Sequence, residues 1–330
     1  MSQNNIKKVV VLGTGGTIAG VSSASSDNVG YTAAQIGIRA LLDAVPALAQ
    51  WPCELLAEQV AQVDSKDMSF AVWHNLLNRS AFWLADPQVQ GIVVTHGTDT
   101  LEETAYFLHC ALPRHLLATK PVVLTCAMRP ASAVNADGPQ NLRDAVSVAL
   151  TTGARGVVAV CAGTVHTATD VQKIHPYRLD AFNSGDAGPL AYVEEGVVRL
   201  LKDWPVANDD IAQVAPKNIS NRTVWPRVDI VMNYAGADGW MVEALLAQSA
   251  SGQGAPLRGI VVAGTGNGTL HIDLEAALLK AQASAVAVRR STRCPSGRVI
   301  PVPNASIKHS EGLSPVKARI ALMLELMALE

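Results

Sequence analysis

The sequence predicts an α/β chain: a larger N-terminal domain on a mostly parallel, doubly wound sheet, then a smaller C-terminal α/β domain. Three observations carry this. Short apolar, β-branched runs alternate with helix-like stretches through the first two-thirds, and that alternation implies right-handed crossovers between parallel strands. Apolar residues make up 49% of 330 positions, enough for more than one core. Around residues 200–226 the alternation dissolves among Pro205, Asn208, Asp209, Asp210, Pro216 and Pro226, and a second alternating series follows. The expected division is therefore a domain over 1–200, a linker over 201–226 and a domain over 227–330.

Residues 8–12 read as a buried strand, and 33–45 as a helix stopped by Pro46. Residues 54–63 read as a strand, and Asp67 as the N-cap of a helix running to residue 84. A strand at 91–95 leads to a helix at 101–112, ended by Pro113. A strand at 121–125 is followed by a helix at 139–150, opened by a proline in its first turn, and by a strand at 156–161. In the second series, strands are expected at 229–233, 259–263 and 285–289, and helices at 241–250, 270–283 and 315–328. Residues 20–31, rich in Ser, Ala, Asp, Asn and Gly, read as a loop placed where an active-site lid would be.

Composition removes several classes. The formal net charge is −2 with 16% charged residues and no basic run, so there is no nucleic-acid footprint. No unbroken apolar stretch reaches the roughly 18 residues of a membrane span, and the N-terminus lacks the features of a signal peptide, so a cytoplasmic protein is expected. The five cysteines are scattered without paired spacing, as reduced thiols would be. The eight histidines form no H-E-x-x-H.

Two segments carry the chemistry: Gly13-Thr14-Gly15-Gly16-Thr17-Ile18-Ala19-Gly20, and Thr95-His96-Gly97-Thr98-Asp99-Thr100-Leu101-Glu102-Glu103-Thr104. Each sets a threonine in a glycine-containing turn where a buried strand should end, the edge at which open parallel sheets bind ligands. The first is not a dinucleotide fingerprint, because the sixth position is Ile18, and no Gly-Lys-Ser/Thr follows. Ser26-Asp27-Asn28 spells a β-lactamase triplet without its K-T-G partner. A threonine hydroxyl needs a base or proton relay to act as a nucleophile. Thr98 has Asp99 beside it, Lys173 could hold or take a proton, and glycine-turn N–H groups near Thr17 could form an oxyanion hole. Taken singly, either threonine is more often a turn or cap residue.

The two segments resemble the signatures of bacterial-type L-asparaginases. The resemblance continues through Ala127-Met128-Arg129-Pro130, Ala136-Asp137-Gly138-Pro139, Asp170-Val171-Gln172-Lys173, Gly188-Pro189-Leu190, Gly264-Thr265-Gly266-Asn267-Gly268 and Lys317-Ala318-Arg319. It implies a cofactor-free amidohydrolase that turns L-asparagine and water into L-aspartate and ammonia, with L-glutaminase activity left open. By motif match Thr17 is the nucleophile, Tyr31 assists it from the mobile loop, and Thr98, Asp99 and Lys173 form a second catalytic set. Ser65 would hold the substrate α-carboxylate and Asp99 its α-ammonium, with Lys66, Gly97, Thr98 and Ala127 also lining the substrate site. The resemblance further implies a homotetramer of paired intimate dimers.

Three positions depart from the pattern of periplasmic members: Lys66 where Gln or Glu is usual, Thr269 where Asn or Ser is usual, and Asn304 near an expected glutamate. The added positive charge and lost negative charge predict weaker binding of L-asparagine, because a like charge within a few ångströms costs on the order of 1–4 kcal/mol at intermediate dielectric. A Lys66 turned to solvent or paired with a local acid would remove that effect. Two other readings are the amidase subunit of a tRNA-dependent amidotransferase and a non-catalytic amino-acid binder. The first would need a partner and an extra N-terminal module; the second would be expected to lack part of the Thr17, Tyr31, Thr98, Asp99, Lys173 set.

Overall fold

A computed structural model of the chain describes residues 7–205, 219, 222 and 224–329. The chain forms two compact units, Met1–Ala212 and Gln213–Glu330. Much of the expected linker, residues 206–218, 220, 221 and 223, lies outside the described residues. Its first residues pack on the N-terminal unit, where Trp204 is buried in the core.

The N-terminal unit holds strands β1 (Lys7–Gly15), β2 (Cys53–Val63), β3 (Val89–Thr95), β4 (Pro121–Thr125), β5 (Gly156–Cys161), β6 (Thr164–Thr167), β7 (Gln172–Lys173), β8 (Phe182–Asn183), β9 (Ala191–Glu194) and β10 (Val197–Leu200). Its helices are α1 (Ile38–Asp43), α2 (Phe70–Ala85), α3 (Leu101–Ala111), α4 (Arg114–Leu117) and α5 (Gly138–Leu150). Eight strands form one sheet in the order β10-β9-β6-β5-β4-β3-β1-β2, and β7 pairs with β8. The block β2-β1-β3-β4-β5 is parallel throughout, as the sequence predicts. β6, β9 and β10 extend it antiparallel. Val9, Val10, Val11 and Leu12 are all fully buried, the continuous apolar run of a strand covered on both faces. Val9, Val11, Val93, Val123 and Val158 share one core with α1 and α5. α2 and α3 pack together, with Trp73 stacked on Phe107 at 4.8 Å and its indole N–H donating to Thr104 Oγ1 at 2.8 Å.

Two expectations for the N-terminal unit need correction. The helix expected over 33–45 is only the short α1, followed by a 3₁₀ turn at Pro46–Gln50. Tertiary bonds draw the preceding residues away: Ala34 N–H donates to Gly16 O, and Gln35 and Ile36 N–H both donate to Ala19 O. The helix expected to start at Asp67 is capped instead by Ser69, whose hydroxyl accepts the Val72 N–H at 3.4 Å. Asp67 belongs to a separate 3₁₀ turn, Ser65–Asp67.

The C-terminal unit has β11 (Arg227–Met232), β12 (Leu257–Gly264), β13 (Ala287–Thr292) and β14 (Lys308–His309), with α6 (Trp240–Ala250), α7 (Ile272–Ala283) and α8 (Pro315–Ala328). Its sheet runs in sequence order and is parallel throughout. The strand expected at 285–289 starts later, because Ala285 takes a left-handed turn (φ 62°) that closes α7. Among the described residues, no helix is long and apolar enough to cross a membrane.

Candidate active site

The strand order sets the place. In a sheet ordered 2-1-3-4-5 the direction of winding reverses between β1 and β3, and a crevice opens at their carboxyl ends. The turn from Gly16 to Ala19 follows β1 and the turn from His96 to Thr100 follows β3, so both signature segments meet at this switch point.

The two turns are in direct contact. A Cβ built on Gly16 (φ +80°) would lie 2.3 Å from the Gly97 Cα, and one on Gly97 would lie 2.4 Å from Ser65 Oγ. Only bare backbone fits this crossing, which sets the next residue of each turn, Thr17 and Thr98, beside it. Thr14 Oγ1 donates to Thr95 O at 2.9 Å and ties the strands together just before the turns. The Gly16 N–H, a candidate oxyanion donor, is committed to Val63 O at 2.9 Å.

Each threonine has a polar partner. The hydroxyl of Thr17, a buried residue, lies 2.7 Å from Tyr31 OH across the loop of residues 20–31. Lys173 Nζ donates to Thr98 Oγ1 at 2.8 Å and to Asp99 Oδ1 at 2.6 Å. The lysine side chain is only 17% exposed, whereas that of Asp99 is 52% exposed and keeps carboxylate surface open. Ser65 Oγ accepts the Asp99 N–H at 3.2 Å, and Thr100 Oγ1 donates to Ser65 O at 2.8 Å. Thr17 and Tyr31 thus form one set, and Ser65, Gly97, Thr98, Asp99 and Lys173 another.

Ala127 stands just past the end of β4, fully buried, within reach of the same Gly138 position as Ile18, the residue after Thr17. Lys66 is different. Its ammonium pairs with Asp64 and lies 3.5 Å from Asp67 Oδ2, and Asp64 raises its pKa above the ordinary lysine value. The charge that the sequence adds beside Ser65 is therefore matched locally. In the C-terminal unit the Thr269 hydroxyl is held by Thr265, donating to its carbonyl at 2.9 Å, and Asn304 adopts a left-handed backbone (φ 59°).

His96 lies beneath the second turn with no exposed surface. Its Nδ1 is 2.7 Å from Gly97 O, and burial pushes its pKa down to about 4, so the ring is neutral. Sequence reasoning did not mark His96, nor the Gly16–Gly97 crossing. It also missed Asp137 and Asn141, which hold the turn after β4. Asp137 in Ala-Asp-Gly-Pro at a helix start was the available signal.

A doubly wound sheet with two threonine-bearing glycine turns at its switch point, one hydroxyl joined to a phenol and the other to a lysine–aspartate pair, has the groups that acyl transfer requires. Residues 8–206 match the family described as "Asparaginase, N-terminal", and residues 227–328 match "Glutaminase/Asparaginase C-terminal domain". The chain belongs to the asparaginase family. It is 36% identical to L-asparaginase 2 of Escherichia coli (strain K12), over 97% of this chain and 89% of that one. It is 33% identical to a glutaminase-asparaginase of Pseudomonas fluorescens biotype A, over 98% of this chain and 88% of the other. Among solved structures it is similar to a probable cytoplasmic L-asparaginase from Campylobacter jejuni, with a TM-score of 0.87 and 36% identity, covering 97% of this chain and 95% of that one.

Proposed function

We propose that the protein hydrolyses L-asparagine to L-aspartate and ammonia, with Thr17 as the nucleophile. The observation that carries this is the pairing of Thr17 with Tyr31 at 2.7 Å, beside the Lys173–Thr98–Asp99 set. Thr17 Oγ forms a C–O bond to the side-chain amide carbon as its proton passes to the Tyr31 oxygen and the phenol's own proton moves on to the amide nitrogen. The C–N bond breaks as the nitrogen takes a proton and leaves as ammonia. A water oriented by the Thr98, Asp99 and Lys173 set then adds its oxygen to the ester carbon; as the ester C–O bond breaks, the proton that water gives up passes through Tyr31 to Thr17 Oγ, leaving aspartate and free Thr17. Ser65 receives the substrate α-carboxylate, and the half-open Asp99 carboxylate receives the α-ammonium. Gly97 and Ala127 contribute backbone to the substrate site.

Glutamine differs by one methylene, which discriminates by only about 1–3 kcal/mol, so slower glutamine turnover is expected alongside asparagine turnover. We assign the enzyme to the cytoplasm, which fits five unbridged thiols and the name of the Campylobacter protein. A homotetramer fits the large apolar side chains exposed on the C-terminal unit, such as Trp240 at 76% and Ile272 at 78%. Sedimentation should give four times 34.7 kDa.

The test is ammonia release from L-asparagine, L-glutamine and D-asparagine by wild type and Thr17→Ala. Saturable release from L-asparagine, reduced at least about 1,000-fold in the variant, is the expected result. Retained turnover in Thr17→Ala would move the attack to Thr98.

A further inference from the structure

We infer that Asp137, with Asn141, is a positioning residue that holds both the floor and the lid of the active site; the kinetic part of this rests on the asparaginase reading above. Asp137 stands at the N-cap position of α5, yet its side chain caps nothing in that helix. It turns back to the segment that leaves β4. Oδ2 accepts the Met128 N–H at 2.9 Å and Oδ1 accepts the Arg129 N–H at 3.0 Å. One turn along α5, the Asn141 Nδ2 group donates to Asp137 Oδ2 at 3.2 Å and to Cys126 O at 2.9 Å. The Asn141 Oδ1 atom accepts the Ala162 N–H at 3.0 Å, from just beyond β5. Asn141 is 3% exposed. The residues on either side of Ala127 are thereby pinned, through Cys126 O on one side and Met128 N–H on the other.

The same segment then meets the lid. Ala131 N–H donates to Gly20 O at 2.9 Å, and Val134 N–H donates to Ser25 O at 3.1 Å. Ser132 Oγ accepts the Ser22 N–H at 2.8 Å. Only beyond this tethered stretch does the lid reach Tyr31 and its contact with Thr17. Asp137 and Asn141 fix residues 126–129, residues 131–134 fix 20–25, and that support delivers the Tyr31 hydroxyl to the nucleophile. A carboxylate suits the task because it accepts hydrogen bonds with both oxygens and donates none. The isosteric amide in Asp137→Asn must present an NH₂ group to one of two backbone N–H donors, with little change in volume.

The experiment compares wild type, Asp137→Asn and Asp137→Ala by steady-state kinetics with L-asparagine, amide hydrogen exchange without ligand, and thermal unfolding. In Asp137→Asn, kcat is expected to fall tenfold or more with a smaller rise in KM. Exchange at residues 20–25 should accelerate at least tenfold while strand amides of β1 and β3 stay protected. A residue that only stabilises the fold would lower Tm and leave kcat and lid exchange unchanged at 25 °C; that result overturns the inference, as does faster lid exchange with wild-type kcat. If Asp137→Ala does not fold, the amide variant decides. Should wild type release no ammonia from asparagine, the substrate assignment falls, while the exchange comparison still tests the clamp.

Discussion

Where Gly16 passes Gly97, a methyl group would sit 2.3 Å from backbone, and Gly16 also has a positive φ of 80°. Gly16→Ala therefore strains its own turn and pushes the two turns apart. We expect soluble Gly16→Ala protein to lose at least 100-fold in kcat/KM, with a lowered Tm in calorimetry. At Lys66 the expected effect is small. With the ammonium already paired to Asp64 and Asp67, Lys66→Gln should change the KM for asparagine less than about twofold, in line with the modest worth of exposed ion pairs. His96 supplies the pH dependence. Its folded pKa of about 4 lies below the ordinary 6.5, so the unfolded chain binds the extra proton between those values. Stability is full above about pH 6.5 and is lost as pH falls toward 4, by roughly 3 kcal/mol in all. Thermal unfolding from pH 7 to 4 should show this slope, and His96→Asn should flatten it. At this scale the resemblance singles out Thr17, Tyr31, Thr98, Asp99 and Lys173, and hydrogen bonds join them as a Thr17–Tyr31 pair and a Thr98–Lys173–Asp99 set. The Gly16–Gly97 crossing and the Lys66 ion pairs were not legible in the sequence, because both depend on which turns meet in space.

Strands and helices do the placing. β1 and β3 are neighbours across the reversal in strand order, so their two following turns share one crevice although long stretches of chain separate them. The loop of residues 20–31 carries Tyr31, and Val21 pairs with Thr32 at its base. Tyr31→Phe keeps the ring and removes one hydroxyl; kcat is expected to fall about 100- to 1,000-fold with little change in KM, measured by ammonia release at saturating asparagine. The parallel block was legible because β1, β3, β4 and β5 each contain a buried apolar run, whereas β2, with Glu54, Glu58, Gln59 and Gln62, is only part-buried. β6, β9 and β10 were not legible, since strands of four residues carry too little pattern to register. The helix expected over 33–45 failed for another reason: bonds from Ala34, Gln35 and Ile36 to the first signature turn outweigh local helix propensity.

Across the whole molecule, two units each own a core and a sheet. The larger unit, Met1–Ala212, carries the mixed sheet and the smaller, Gln213–Glu330, the parallel one. The thiols are distributed unequally between them. Burial pushes Cys110 up to about 12 and raises Cys53, and Cys126 rises well above the ordinary value beside Cys161, the two sulfurs lying 3.3 Å apart at the ends of β4 and β5. Cys294, in the C-terminal unit, is the exposed one. A thiolate, not a thiol, attacks an electrophile, so buried and raised thiols are slow. One equivalent of a maleimide dye at neutral pH should therefore attach at Cys294 with ammonia release unchanged, as peptide mapping would show. The native chain thus carries a ready-made handle for fluorescence, set in the C-terminal unit near the Gly266 carbonyl, without any engineered cysteine.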